Sequence, residues 1–355
     1  MASGKSPRQV PTLWCSLEGE GQLADIIMPI PKMPRGLRDA AMMNRLVPFI
    51  GAGASKIAGC PNWNEFADKA LEFLIGEGKF SHSQLAQLRH LPARVKLSIA
   101  RGLERQHEVE IKYDKILDPA NNLEDPNAKG QVLYQTLAKL GRTFVTTNYD
   151  KWLDRAIGAQ PPTLKTSPLP QTRGGPDTPT AFYQVKDLTA ANLNRPNSVI
   201  HLHGSVDDPN NMIMTTQQYV DHYKNDRMSE KFSEENYVLT FLEYLFENKT
   251  VLFIGYGLEE LEILEYAIGK ARSQKFKAEH EIRHYLLQGF FSHEYEVMKN
   301  LKLYYRESGI ELIPFLRDQK DWDQLIEVLK EFVREAPASE PLKLEERREM
   351  RALLE

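Results

Sequence analysis

Four short segments place glycine, polar or titratable residues directly after apolar runs, an arrangement that can assemble small-molecule chemistry. The first is Leu46-Val47-Pro48-Phe49-Ile50-Gly51-Ala52-Gly53-Ala54-Ser55. Small residues at Gly51, Ala52 and Gly53 let backbone N–H groups approach a phosphate, and a helix starting there favours its negative charge. The same turn also serves as plain structure. The second is Thr143-Phe144-Val145-Thr146-Thr147-Asn148-Tyr149-Asp150. Asn148 both donates and accepts hydrogen bonds, so with Thr147 beside it this loop suits a ribose hydroxyl or a water. Asp150 suits a ligand donor, and it equally suits the N-cap of a helix over Lys151–Ile157. The third is Ser198-Val199-Ile200-His201-Leu202-His203-Gly204-Ser205. Histidine titrates near neutrality and can act as a general base, although a strand-end histidine is often only packed. Strand alternation puts His201 and His203 on one face, with His201 expected deep and hydrogen-bonded and His203 at the rim. The fourth is Thr250-Val251-Leu252-Phe253-Ile254-Gly255-Tyr256-Gly257-Leu258. Its second glycine turn, Gly255, Tyr256 and Gly257, can wall the ribose or pyrophosphate of a dinucleotide. Glu259, Glu260 and Glu262 then complement the dipole of a following helix.

These segments need elements to hold them. Apolar runs at Leu46–Ile50, Thr143–Thr146, Val199–Leu202, Val251–Ile254, His284–Leu287 and Glu311–Phe315 are nearly continuous rather than alternating, as in strands covered on both faces. Longer helical patterns separate them, which predicts an α/β domain with a mostly parallel sheet. Functional loops then lie at the C-terminal strand ends. Over 90 residues between the first two strands read as helices Asn64–Ile75, Ser81–His90, Pro92–Gly102 and Lys129–Leu140. That stretch is too long for a simple crossover and predicts a helical insertion over about 64–140, one wall of a cleft. Residues 157–197 read as a long loop with one short strand near Ala181–Val185. Residues 1–34 form an N-terminal arm closed by Pro29, Pro31 and Pro34. It reads equally as a disordered leader or as an oligomerisation arm, the latter because Leu13, Trp14, Leu23, Ile26, Ile27 and Met28 are too apolar for a tail with nothing to contact. Residues 336–355 form a charged C-terminal tail, and 35–335 the domain between them.

Composition excludes several classes. The chain has 355 residues, 41% hydrophobic and 26% charged, with a net charge of −4. That argues against a generally basic nucleic-acid-binding surface, leaving nucleic acid only to a partner or to a local patch of Arg and Lys in 84–106 and 142–173. Cys15 and Cys60 are too few for a four-thiolate zinc site, no acidic metal cluster is evident, and no metal is expected. Low cysteine use, no membrane-length apolar run and no signal pattern predict a cytoplasmic protein. A hydride-transfer dehydrogenase is disfavoured because Lys56 stands where a third glycine would fall.

The order Gly-Ala-Gly-x-Ser, Thr-x-Asn-x-Asp, His-Gly and a final glycine turn resembles the sirtuin family over about residues 43–315, most closely its bacterial branch in antiphage defence. The resemblance implies a Rossmann-like parallel sheet with helices on both faces, and NAD+ as substrate. It implies that Gly51, Ala52, Gly53 and Ser55 bind the pyrophosphate. Asn148 would lie by the nicotinamide ribose, Asp150 would contact the carboxamide, His203 would be the base, and Gly255 to Gly257 would line the adenosine side. Deacylase members carry Asp-Phe-Arg after the first glycine loop, where this chain has Pro61-Asn62-Trp63-Asn64, and they carry a zinc module that this chain cannot build. Deacylation is therefore not expected. The implied activity is NAD+ hydrolysis to nicotinamide and ADP-ribose, depleting NAD+ in defence. The branch also implies a homo-oligomer and a HerA-type hexameric ATPase partner. The competing expectations are a non-catalytic NAD or ADP-ribose-binding regulatory subunit and a nuclease-associated subunit.

Overall fold

The computed structural model describes residues 27–117, 128–158, 178–223, 236–256, 267–269 and 284–336. Seven strands form one sheet: β1 (Leu46–Ile50), β2 (Thr143–Thr146), β3 (Thr180–Phe182), β4 (Ser198–His201), β5 (Thr250–Ile254), β6 (His284–Phe290) and β7 (Ile310–Leu316). Their order is β3-β4-β2-β1-β5-β6-β7, and every pairing is parallel. The expected strands are all present: β1 and β2 as read, β4 shifted by one residue, β5, β6 and β7 longer by one to three, and the one near Ala181–Val185 as the short edge strand β3.

The continuous apolar runs follow from coverage on both faces. Ile50, Phe144, Val199, Leu252 and Ile254 face one core, with helices Arg35–Met42, Lys129–Leu137 and Gln324–Glu335. Phe49, Val145, Ile200, Val251 and Phe253 face the other, with helices Tyr237–Asn248 and Tyr295–Glu307. Alternate residues of each strand thus enter opposite cores. Pro48 is tolerated in central β1 because β1 pairs with β2 only from Phe49 onward, so the missing N–H falls where that ladder has not begun.

The segment expected to be one helical wall divides in two. Helices Trp63–Gly76, Ala93–His107 and Tyr113–Leu117 build a third core with Tyr149, Val206, Met212 and Met214. These partners lie in the loops after β2 and β4, so the insertion covers the strand ends. Helix Lys129–Leu137 belongs instead to a sheet face. Helices expected at Ser81–His90 and Pro92–Gly102 run over His82–Gln87 and Ala93–His107. Of the arm, Ile27 is buried, the Met28 carbonyl accepts from Leu316 N at 2.9 Å, and the Pro29 carbonyl accepts from Gln324 Nε2 at 3.0 Å. The arm's earlier residues and the tail beyond 336 lie outside the described residues.

The loops that leave β1 and β5 touch. Gly51 N donates to Ile254 O at 2.9 Å and Gly53 N donates to Gly255 O at 2.7 Å. A Cβ on Gly53 would stand 2.8 Å from Gly255 O, and Gly255 itself has φ +63°. Only backbone fits between these turns. Gly255→Ala is expected to cost about 2 kcal/mol of stability or more through overpacking and strain, measured by urea unfolding without any nucleotide. An unchanged midpoint would show that this contact does not matter to the fold.

Candidate functional site

The turn packing fixes the start of helix Ala52–Ile57 and so the position of Ser55. Ser55 is buried, and its hydroxyl joins β1 to β2. It donates to Asp150 Oδ2 at 2.5 Å and accepts from Asn148 Nδ2 at 2.7 Å. Its single proton goes to the carboxylate, so Tyr134 OH, 3.0 Å away, must donate to it. Burial, followed by the nearby Asp150 charge, raises the Tyr134 pKa well above its usual value, which keeps that proton in place. Asn148 Nδ2 also donates to Gly51 O at 3.1 Å, and its backbone N donates to Thr146 Oγ1 at 3.0 Å. Asp150 Oδ1 accepts from Trp152 N at 3.1 Å at the start of helix Trp152–Ile157. The carboxylate therefore serves the helix start with one oxygen and Ser55 with the other, while Lys151 occupies the N-cap position.

A recess opens on this cluster. Ala52, Ser55, Thr147, Asn148 and Asp150 line it, with Cys60, Pro61, Asn62, Trp63, Phe66, Leu117 and Tyr149. Pro61-Asn62-Trp63 thus forms a wall of the recess. Asn62 caps helix Trp63–Gly76 in a reciprocal pair: its side chain accepts from Glu65 N at 3.0 Å, and Glu65 Oε2 accepts from Asn62 N at 2.8 Å. The first turn has less to offer a phosphate than expected, since the N–H groups of Gly51 and Gly53 are bound to Ile254 and Gly255 carbonyls. Tyr256 packs edge-on against Phe49 at 5.4 Å between centroids. Gly257 and the acidic residues after it lie outside the described residues.

The two histidines part company. His201 is buried as expected, with Nδ1 2.9 Å from Asn148 O and Nε2 3.0 Å from Asp154 Oδ1. Burial alone would lower its pKa, but the Asp154 carboxylate and the hydrogen bonds outweigh it and the net shift is upward. The rim position expected for His203 is corrected. This residue is 1% exposed, does not line the recess, and meets Tyr223 OH with Nε2 at 2.7 Å. It lies past the end of β4 in a turn, so strand alternation no longer governs it. Its ring sits 6.5 Å from Tyr149, 6.0 Å from Tyr219 and 5.9 Å from His222. Burial, with the Arg94 charge adding to it, pushes the His203 pKa down to about 3, so the ring is neutral at physiological pH. Sequence reasoning weighed Cys60 only against a zinc site and did not single out Tyr134, Tyr219, His222 or Tyr223. The spacing of the last three, i, i+3 and i+4, was the available signal.

Among the described residues no group of three or more His, Cys, Asp or Glu is placed to hold a metal ion, and no helix is long and apolar enough to cross a membrane.

The buried imidazoles carry a pH dependence. His222 is likewise pushed down to about 3, by burial and then by the His203 charge. For both rings the unfolded chain binds more protons below a pKa of about 6.5, so stability is full above that value and is lost as pH falls towards 3. His201 has the opposite sign: its contribution is present below about 6.5 and is lost as pH rises through its raised folded value. His203→Gln is expected to flatten the acid-side loss of unfolding free energy by about one proton's worth of slope in urea titrations. An unchanged slope would mean that the folded protein carries His203 charged. Ser55→Ala should cost about 1–3 kcal/mol in the same assay, because Asn148, Asp150 and Tyr134 each lose a buried partner. No loss would dissolve the cluster as a structural unit.

No curated protein matches the chain. Residues 142–313 match the family model for the SIR2-like domain. The match contains Asn148, Asp150, His203 and Gly255, while Gly51, Gly53 and Ser55 precede it. Over that stretch the chain is similar to a sirtuin-like, NAD-related family of enzymes.

Proposed function

We propose that the chain is a sirtuin-like NAD+ glycohydrolase, releasing nicotinamide and ADP-ribose. The observation that carries this reading is the buried Ser55–Asn148–Asp150 cluster opening into a recess at the ends of β1 and β2. Parallel sheets bind ligands at this edge. In the reaction the C1′–N bond of the nicotinamide ribose breaks, with its electron pair leaving on nicotinamide. A water oxygen then forms the new bond at C1′, and its proton passes to a base. Asn148, anchored by Ser55 and Gly51, orients the ribose or the water. Asp150, held at both oxygens, offers a fixed acceptor towards the carboxamide. His203, neutral at working pH, is the base for a ribose hydroxyl or the water. Trp63 and the other apolar walls exclude competing acceptors, and no acyl-lysine module is invoked. Ala52, Thr147, Tyr256 and the two glycine turns would line the dinucleotide.

In this reading NAD+ depletion serves antiphage defence, as a homo-oligomer with a HerA-type ATPase beside it. The burial of His203 favours a second reading, a regulatory subunit that binds NAD+ or ADP-ribose without turning it over. Nicotinamide release separates the two. Purified protein is expected to release nicotinamide from NAD+, with Asn148→Ala and His203→Ala each losing roughly 10²–10⁴-fold in rate. Undiminished release from both folded variants would sink the assignment, and binding without release by wild type would favour the regulatory reading.

A further inference from the structure

We infer that helix Thr216–Tyr223 is an autoinhibitory cap: Tyr223 occupies His203 Nε2 and, with Tyr219 and His222, keeps substrate from that ring until the helix moves. This rests on the reading of His203 as the base.

Three residues of one helical turn converge on a single imidazole. Tyr223 OH meets Nε2 at 2.7 Å, and the Tyr219, His222 and Tyr223 rings all stand edge-on to His203 within 6.0 Å. Nε2 is then occupied in either tautomer, so a substrate hydroxyl or water cannot meet that nitrogen while Tyr223 stays in place. Part of the hold on the helix comes from the insertion. The Arg94 guanidinium stacks 3.6 Å above the Tyr219 ring, and Thr216 N donates to Ser98 Oγ at 3.3 Å, both from helix Ala93–His107. Those contacts tie the cap to the helical insertion. The cap is rooted at its C-terminal end, where Tyr223 packs against a sheet-face core and His222 O accepts from Asn236 Nδ2 at 3.1 Å, and its remaining residues are less enclosed. Within this eight-residue helix only His222 is buried, and Val220 is 53% exposed on its outer side. Few buried apolar contacts mean a low local opening free energy. Movement of one short helix would uncover His203 while the bonds that hold the Ser55–Asn148–Asp150 cluster to Gly51, Tyr134 and Trp152 remain.

Diethyl pyrocarbonate, which acylates accessible neutral imidazole, reads this directly when combined with peptide mass spectrometry on the full chain. Wild-type His203 is expected to label far more slowly than the exposed His82 and His90, which serve as internal references. Tyr223→Phe keeps the ring packing and removes only the hydroxyl, and Arg94→Ala frees Tyr219. Each is expected to raise His203 labelling roughly fivefold, the population change from losing one modest contact, and to raise nicotinamide release in parallel. If His203 labels as fast as His82 in wild type, or if neither variant raises its labelling, the cap is wrong. If labelling rises but no variant releases nicotinamide, the cap on His203 stands and the hydrolase reading fails.

Discussion

The backbone contact between the turns after β1 and β5 governs the geometry of the site. These two strands are neighbours in register from Leu46↔Thr250 to Ile50↔Ile254, so their continuations leave the sheet side by side. A side chain on either would drive them apart. Glycine on both sides lets Gly53 N reach Gly255 O, and the chain after β1 turns at once into helix Ala52–Ile57. The first turn of that helix aims Ser55 across the top of β2. One steric constraint thus decides where the hydroxyl that organises Asn148 and Asp150 will stand.

The cluster that results is polar, buried and internally satisfied. Each group has a defined donor or acceptor role, because Ser55 has one proton and gives it to a carboxylate. Buried networks of this kind are costly when broken and rigid when complete. Rigidity is what a positioning group needs: Asn148 is held at its side-chain nitrogen by Ser55 and Gly51, which leaves its carbonyl oxygen direction fixed.

The sheet was legible because fully buried parallel strands leave an unbroken apolar signature, and six of the seven strands lie where such runs occur, β3 being the short strand within the long loop. The convergence of Ser55, Asn148 and Asp150 was legible for a related reason: each follows a strand end, and a parallel sheet gathers those ends on one edge. Other features depend on contacts between distant segments. Tyr134 reads as one more apolar position of a helix, and only the fold brings it to Ser55. The glycine turn reads as a phosphate cradle, yet its N–H groups meet Gly255 and Ile254, more than 200 residues away in sequence. His203 was misplaced because alternation was extended past the end of β4, where the backbone turns and the ring enters a pocket of aromatic side chains.

That misplacement bears on chemistry. A general base must be neutral at working pH and must be reachable. Exposed histidine meets the second demand but is partly protonated near pH 6.5. His203 meets the first through burial against Tyr149, Tyr219, His222 and Tyr223. The two demands conflict in a rigid site, and separating them in time resolves the conflict. A short helix that shelters the ring holds it neutral, and because one hydrogen bond is worth only about 1 kcal/mol net, uncovering the ring takes a modest push. The helix is tied through Arg94 and Ser98 to the insertion as well as through Tyr223 to a sheet-face core, so a force on the insertion acts on the shelter of the base.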